Sequence, residues 1–529
     1  MNIIPLPAPI KGQNTTTVAP KLEPEEAISM VNWFPEPKFI RLRDGVSAFT
    51  STAIGTSKDI PSLFTFVNEG GTSVRLIAGA NSSIMDVTTS TPAAITLPGG
   101  YTITNDIWDT ASFVDSGGNS YTVMCNGTNT PLMYNGTSLA VSAWTGITQT
   151  KLKAPLSYKG RLYFIEKDSL SIWYGGTGVS GTTSSALSEL NLGSIFSLSG
   201  KIIWHGSWSY DFGNGLNEYY AVVTSEGELL TYRGDYPGDT EWSLLSRGVM
   251  ARPIGYRSFA KYGNDVLILC EDGEIYVLSS IIQKNWTSIA INIGREIKTI
   301  AGNVSDALRE RWSLFISQRQ NKIYVVCPKN INASSVVTST KIYVGNLATR
   351  TAGYIPWCEY FGTPILSMAS MQGDIYFGGV DGYIGTMEKG LRYDYVYVNG
   401  TLTKRAIYTK LRTSPQRLNG DTRGNVQCLA ARPLFVGSGA VKYNIGAELD
   451  MGVNAVLSVD SETEDSVVRA IWDESVWNTT RWDSVSLVSK KWRRIYGCGA
   501  FVNLRIEGSF MDAVVQLAEI SLSVKNGGF

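Results

Sequence analysis

The 529-residue chain has one histidine, His205, in the aromatic stretch IIWHGSWSY. Ser-His-Asp and Cys-His catalysis need an imidazole beside a nucleophile, and multi-histidine metal sites need several. A lone histidine with no nucleophile elbow around it reads as a hydrogen-bonded structural residue. GTGVSG at 176–181 has the spacing G-x-G-x-x-G, but no acidic residue stands about 20 positions on and no βαβ pattern follows, so it reads as a glycine-rich loop between strands. Asp109, Asp115, Asp211, Asp235 and Asp265 are the carboxylates available for a glycosidase-like pair. No S-x-D-x-G-x-T-W repeats accompany them, and most aspartates stand beside Gly or Asn, where they make turns. The expectation is therefore no catalytic residue, no cofactor, no metal ligand and no enzyme.

Two local clusters point to interaction instead. Between 404 and 432 lie Lys404, Arg405, Lys410, Arg412, Arg417, Arg423 and Arg432 against the single acid Asp421, and KKWRR adds Lys490, Lys491, Arg493 and Arg494. Such a surface faces a polyanion, gripping phosphates without reading bases. The alternative is a solvated face, or partners for the acidic run SETEDS at 461–466. The second cluster is IWDESVWNTTRWDS, where Trp472, Trp477 and Trp482 recur every five residues. That interval suits neither one strand face nor one helix face, which marks them as anchors in loops or at a subunit interface. Trp33 is a further candidate interface aromatic.

The scaffold that must position these residues is all β. Lys+Arg and Asp+Glu both number 46, so net charge points to neither nucleic acid nor membrane. Six cysteines, 31 or more residues apart, suit buried free thiols rather than disulfides or zinc. The N-terminus shows no basic region leading into an apolar one, and no stretch approaches 18 uncharged apolar residues, so synthesis in a reducing cytoplasm without a membrane-spanning segment is expected. Helical periodicity is confined to two short candidates, around Glu25–Val31 and Asp306–Arg311.

Related hairpins begin near Val74, Ser120, Arg161, Tyr219, Asp265, Lys322 and Asp374, spaced 46, 41, 58, 46, 57 and 52 residues apart. In YGNDVLILCEDGEIYVLSS (262–280) both strands are apolar on both faces. Strands covered on both sides lose the polar alternation of half-exposed ones, and a period of roughly 40–55 residues is that of a β-propeller blade. The spacing predicts seven blades, or six if one unit belongs elsewhere, with RWSLFISQ (311–318) as an outer strand solvated on one side. Glu226-Gly227, Asp272-Gly273 and Asp381-Gly382 are the expected tight turns. The period stops near 390. The organisation predicted is an N-terminal extended arm (1–60) packing on the C-terminal domain or a neighbouring subunit, a β-propeller (61–390) and a C-terminal antiparallel β-sandwich or platform (391–529).

The segment AISMVNWFPE (27–36), followed by IRLRDGVSAFTS (40–51), resembles the N-terminal segment of tail hub, or nozzle, proteins of short-tailed bacteriophages, also described as packaged-DNA stabilisation proteins. Asn32, Trp33, Pro35, Glu36, Gly45 and Phe49 match, while Asp44 stands where proline is usual. KWRRIYGCGAFVNLRIEGSFMDAVVQLAEISLSV is similar to that family's closing strands. The resemblance implies a virion structural protein made in the host cytoplasm. It would form a homo-oligomeric ring, expected to be a hexamer, below the portal and its adaptor. The ring would extend the DNA channel with non-specific contact to double-stranded DNA, help hold the packaged genome, and dock fibres, spikes or a needle. The rival expectation is a propeller that binds or degrades polysaccharide.

Overall fold

The computed structural model describes residues 2–526 apart from 56–58, 212–215, 284–287, 290–291, 333–335, 350–353, 399, 419–424, 439–440, 453–486 and 490. Seven antiparallel sheets follow one another along the chain from Ser62 to Met387, and each takes up one repeat of the hairpin pattern. Blade 1 starts with Ser62–Val67, blade 2 with Asp109–Val114, blade 3 with Leu152–Tyr158 and blade 4 with Ile202–Asp211. Blades 5, 6 and 7 start with Phe259–Tyr262, Ser313–Ser317 and Ile365–Met371. Each first strand, or the sheet behind it, packs on the next blade, and Ile365–Met371 packs back on Ser62–Val67, so the wheel closes. The protein is a seven-bladed β-propeller.

The doubly apolar hairpins are the second and third strands of each blade. In Asp265–Leu269, Val266 and Ile268 enter the core shared with blade 4, while Leu267 and Leu269 enter the core shared with blade 6. The same division recurs in blade 3, where Tyr163 and Ile165 face blade 4 and Leu162 and Phe164 face blade 2. A strand alternates its side chains with period 2, so a strand wedged between two neighbours must be apolar at every position. The turn glycines Gly227, Gly273 and Gly382 have φ of 81°, 86° and 83° and take the left-handed last position of three-residue hairpin loops, one residue longer than the two-residue turns expected.

Three expectations need correcting. The stretch 311–318 is no outer strand: Ser313–Ser317 is the innermost strand of blade 6, and it keeps polar positions because one face looks into the axial cavity. The expected helix around Glu25–Val31 is the strand Ala27–Val31, held by Ile407–Thr413 on one side and by Trp357–Tyr360 on the other. Tertiary pairing overrides its local propensity. Of the helices observed, Asp306–Arg309 falls where one was expected, but the longest, Gly294–Asn303 between blades 5 and 6, was not anticipated.

The residues before blade 1 serve two sheets at once. Ser47–Ala48 becomes the outermost strand of blade 7, antiparallel to Ile384–Met387, and Ser47 also pairs with Tyr395 of the hairpin Asp394–Val398/Thr401–Arg405. Ala27–Val31 joins the outer edge of blade 6 to Ile407–Thr413, so that blade's sheet runs on through Phe501–Phe510 to Tyr443–Leu449. A second sheet is built on Val514–Asn526, which pairs with Asn2–Pro7, Ile40–Leu42 and Val426–Ser438. One core, including Trp33, Phe34, Leu411, Phe435, Ile506, Leu517 and the blade residues Tyr324 and Phe377, lies between them.

A buried polar knot ties these parts together. Arg43, 1% exposed, donates to both carboxylate oxygens of Asp394 at 2.8 Å, and Asp394 Oδ1 also accepts the Val46 amide at 3.1 Å. Asn32, at φ 58°, accepts from Arg43 Nε and the Phe361 amide and donates to the Phe361 and Tyr408 carbonyls. Removing one member of a buried, fully hydrogen-bonded ion pair strands the other charge, at a cost of about 3–5 kcal/mol. Asp394→Ala should lose about that much in a urea unfolding experiment. A loss under about 1 kcal/mol would show that the knot does not hold the parts together.

Candidate functional site

The innermost strands of all seven blades surround an axial cavity of about 320 Å³. Its wall takes Phe64, Asp109, Ala154, His205, Arg257, Leu314 and Ser367 from blades 1 to 7 in turn. Arg257 crosses it. From the start of blade 5 its guanidinium reaches the Pro61 carbonyl at 2.6 Å, the Trp108 carbonyl at 2.8 Å and Ser62 Oγ at 3.1 Å, with Nε 3.5 Å from Asp109. Blade 5 is thereby strapped to the seam between blades 1 and 2.

His205 lies in the same wall as a structural group. Its Nε2 is 2.5 Å from the Ala154 carbonyl, which can only accept, so Nε2 carries the proton and Nδ1 accepts from the Tyr220 hydroxyl at 2.6 Å. Ala154 has φ 45° and sits in a register break between Lys153 and Leu156. The histidine therefore pins a strained bulge in blade 3.

At one mouth a second cavity of about 390 Å³ is walled by paired charges. Lys201 bridges Asp168 at 2.9 Å and Glu310 at 3.2 Å, Arg309 bridges Glu271 and Asp306, and Arg252 meets Glu226. Tyr256 belongs to both cavities.

Of the five aspartates weighed in sequence, Asp109 lines the axial cavity. Asp115 closes a turn by accepting the Gly117 and Asn119 amides, and Asp265 accepts the Val266 and Ser279 amides. Asp235 lies 3.9 Å from Lys159, and Asp211 ends a strand of blade 4. In GTGVSG, Gly178 and Gly181 have φ of 68° and 81° and press on Ser116 and Trp144, which is loop packing between blades 2 and 3.

The basic residues spread over three sheets instead of forming one strip. Lys404 and Arg405 are on the hairpin joined to blade 7, where Lys404 pairs with Asp512 at 2.6 Å and Arg405 donates to the Gly362 carbonyl. Lys410 and Arg412 are on Ile407–Thr413; Lys410 stands opposite Glu507, and Arg412 is locked to the buried Glu448 at 2.6 Å. Arg417 is exposed beside the Phe501 ring. On the other sheet Lys491 and Arg494 are exposed, but Arg493 is buried over the Tyr443 ring. Two assignments are corrected here. Trp33 is 0% exposed between Phe435 and Phe510, so it is a core residue and not an interface anchor, and buried Arg493 offers no surface charge. Arg423, Lys490, Trp472, Trp477, Trp482 and the acidic run at 461–466 lie outside the described residues.

Sequence reasoning missed Arg257, Lys153 and Tyr256, whose neighbours PIGYRSFA and TKLKAP carry no motif. It also passed over the exposed aromatics Trp492 and Tyr496 on the sheet that carries Arg494.

Burial in this wall pulls the His205 imidazole down to about 4. The unfolded chain takes up a proton near 6.5 and the folded one does not. The stabilisation is thus complete above pH 6.5 and is lost as pH falls from 6.5 through 4, worth roughly 3 kcal/mol in all. The single imidazole resonance in an NMR titration should have its midpoint near 4. A midpoint near 6.5 would place His205 in water.

A comparison with protein-family models finds no match, and none of the curated proteins matches the chain. Among solved structures, the chain is similar to one in "Crystal Structure of Mitotic Checkpoint Complex", with 10% identity over 67% of this chain and 97% of that one, at a TM-score of 0.39.

Proposed function

We propose that this chain is a structural protein of a bacteriophage tail, a hub or nozzle subunit that works by assembly and by shaping a channel, not by catalysis. The observation that carries the reading is where the two family-like termini meet. Ile40 and Arg41 pair with Leu517 and Gln516, and Asn2–Pro7 runs antiparallel to Glu519–Val524. Segments 475 to 522 residues apart thus make one sheet of the platform.

Each motif residue has a framework task there. Asn32 joins the Phe361 and Tyr408 backbones, Trp33 fills the core, the Pro35 carbonyl accepts from Asn346, and Glu36 holds Arg41. Gly45 lies so close to the Tyr393 carbonyl that a Cβ would sit 1.7 Å from it. Phe49 stacks edge-on against Tyr376 of blade 7. Asp44, in place of the usual proline, accepts from Arg392 at 3.1 Å. A scaffold of this kind needs no reacting group.

In this reading the duplex does not pass along the propeller axis, which Arg257 spans and whose cavity of about 320 Å³ is of small-molecule size. The conduit lies between copies of the chain arranged by rotation, with propeller rims and platform loops left to contact the portal-adaptor, fibres, spikes or needle. Of the clustered cations, Lys404, Arg405, Arg417, Lys491 and Arg494 are exposed, Lys404 with Asp512 as its partner. Light scattering on the purified full chain, alone and mixed with a short-tailed phage portal-adaptor complex, should give a ring-sized oligomer in at least the second case. A monomer in both, with release of reducing sugar from bacterial glycans, would overturn the assignment in favour of a glycan-degrading propeller.

A further inference from the structure

Lys153 is 8% exposed and stands beside Ala154 of the axial wall, and among the described residues the contact its ammonium makes is with an aromatic ring. It faces the Tyr256 ring, with Nζ 3.3 Å from the centroid, and Lys201 Nζ lies 5.6 Å from the same ring. A ring face is one soft contact for a group with three N–H donors. Of the carboxylates around it, Asp168 and Glu310 pair with Lys201, and Asp109 lies 3.5 Å from Arg257 Nε through Oδ1, with Oδ2 buried and without a hydrogen bond. The Tyr256 hydroxyl also has no hydrogen bond to a described residue, and Tyr256 lines both the axial and the mouth cavity. Lys153 opens the bulge at Ala154 that His205 holds, and such bulges recur beside functional sites.

We propose that Lys153 and the Tyr256 hydroxyl form a binding site for a small oxyanion, a carboxylate or a phosphate, at the wall shared by the two cavities. The anion supplies the acceptor oxygens that the fold withholds from the ammonium, and the hydroxyl gives it a second donor. Burial, helped by like charge from Arg257 and Lys201, already depresses the lysine against the pull of Asp109 and Glu310, so a bound anion relieves an existing cost. The site is independent of the assembly reading, since it needs no second copy and no DNA.

Thermal unfolding of the full chain tests it, with sodium phosphate and sodium acetate each compared with sodium chloride at equal ionic strength. Millimolar phosphate or acetate should raise the wild-type midpoint by about 2 °C or more over chloride, and the more effective anion identifies the class. Lys153→Met should melt at or above the wild type in chloride, because it removes an unsatisfied charge, and should lose the anion response. Tyr256→Phe, which keeps the ring, should retain the chloride midpoint and weaken the response. No anion-specific rise in the wild type, a response that survives in Lys153→Met, or a Lys153→Met midpoint below wild type in chloride would each overturn the site.

Discussion

The carboxylate of Asp394 is the point on which the architecture turns. It takes the Arg43 guanidinium on both oxygens and the Val46 amide on one of them, and so places the short strand Ser47–Ala48 where it completes blade 7. The same Arg43 reaches Asn32, whose amide holds the backbones at Phe361 and Tyr408. Three parts of the chain that share no local sequence are thus joined by charges with almost no access to water. In such surroundings a satisfied pair is tolerable and a broken one is not, which makes the junction specific. The wheel is closed with a strand borrowed from its N-terminal side, so closure and attachment of the platform are a single event.

Around that junction the energetics are those of repeated burial. Adjoining blades share cores such as Tyr163 with Tyr220 and Val222, or Leu267 with Val325 and Trp312, and a separate core joins Tyr324 and Val326 of blade 6 to the platform residues Leu411 and Ile506. Apolar surface removed from water at roughly 25 cal/mol per Å² stabilises each seam. Because the sheet of blade 6 continues through Ala27–Val31 into the platform, propeller and platform share backbone hydrogen bonds as well as side chains. Relative rocking of the two would break a ladder, not just slide a surface. A rigid body of this kind suits a part that holds a geometry while other molecules move past it.

The axis of the wheel is built differently from its seams. Its first strands keep polar positions, a strap of hydrogen bonds from Arg257 spans it, and a strained bulge in blade 3 is pinned by the one histidine. Buried polar groups in a protein of apolar seams stand out because each must be satisfied locally. Those that are satisfied read as structure. Trp108 Nε1, Asp109 Oδ2 and Ser313 Oγ in the axial wall are buried without a hydrogen bond, and beside them the Lys153 ammonium rests on the Tyr256 ring.

The periodic hairpins, their turn glycines and the free cysteines are local properties, and the residues themselves determined an all-β wheel of seven blades, or six if one unit lay elsewhere. The both-face apolarity of DVLIL at 265–269 has one physical cause, neighbours on two sides, and it is visible without coordinates. Tertiary structure alone decided which strand of each blade faces the axis, since RWSLFISQ differs from an outer strand only in what lies opposite it. It also turned Glu25–Val31 from a helix candidate into a strand, sank Trp33 and Arg493 into the core, and drew the basic residues apart onto separate sheets. The axial residues were illegible for the same reason. Arg257 meets Pro61, and Lys153 meets Tyr256, only after a hundred or more intervening residues have closed the ring, and no spacing rule spans such a distance.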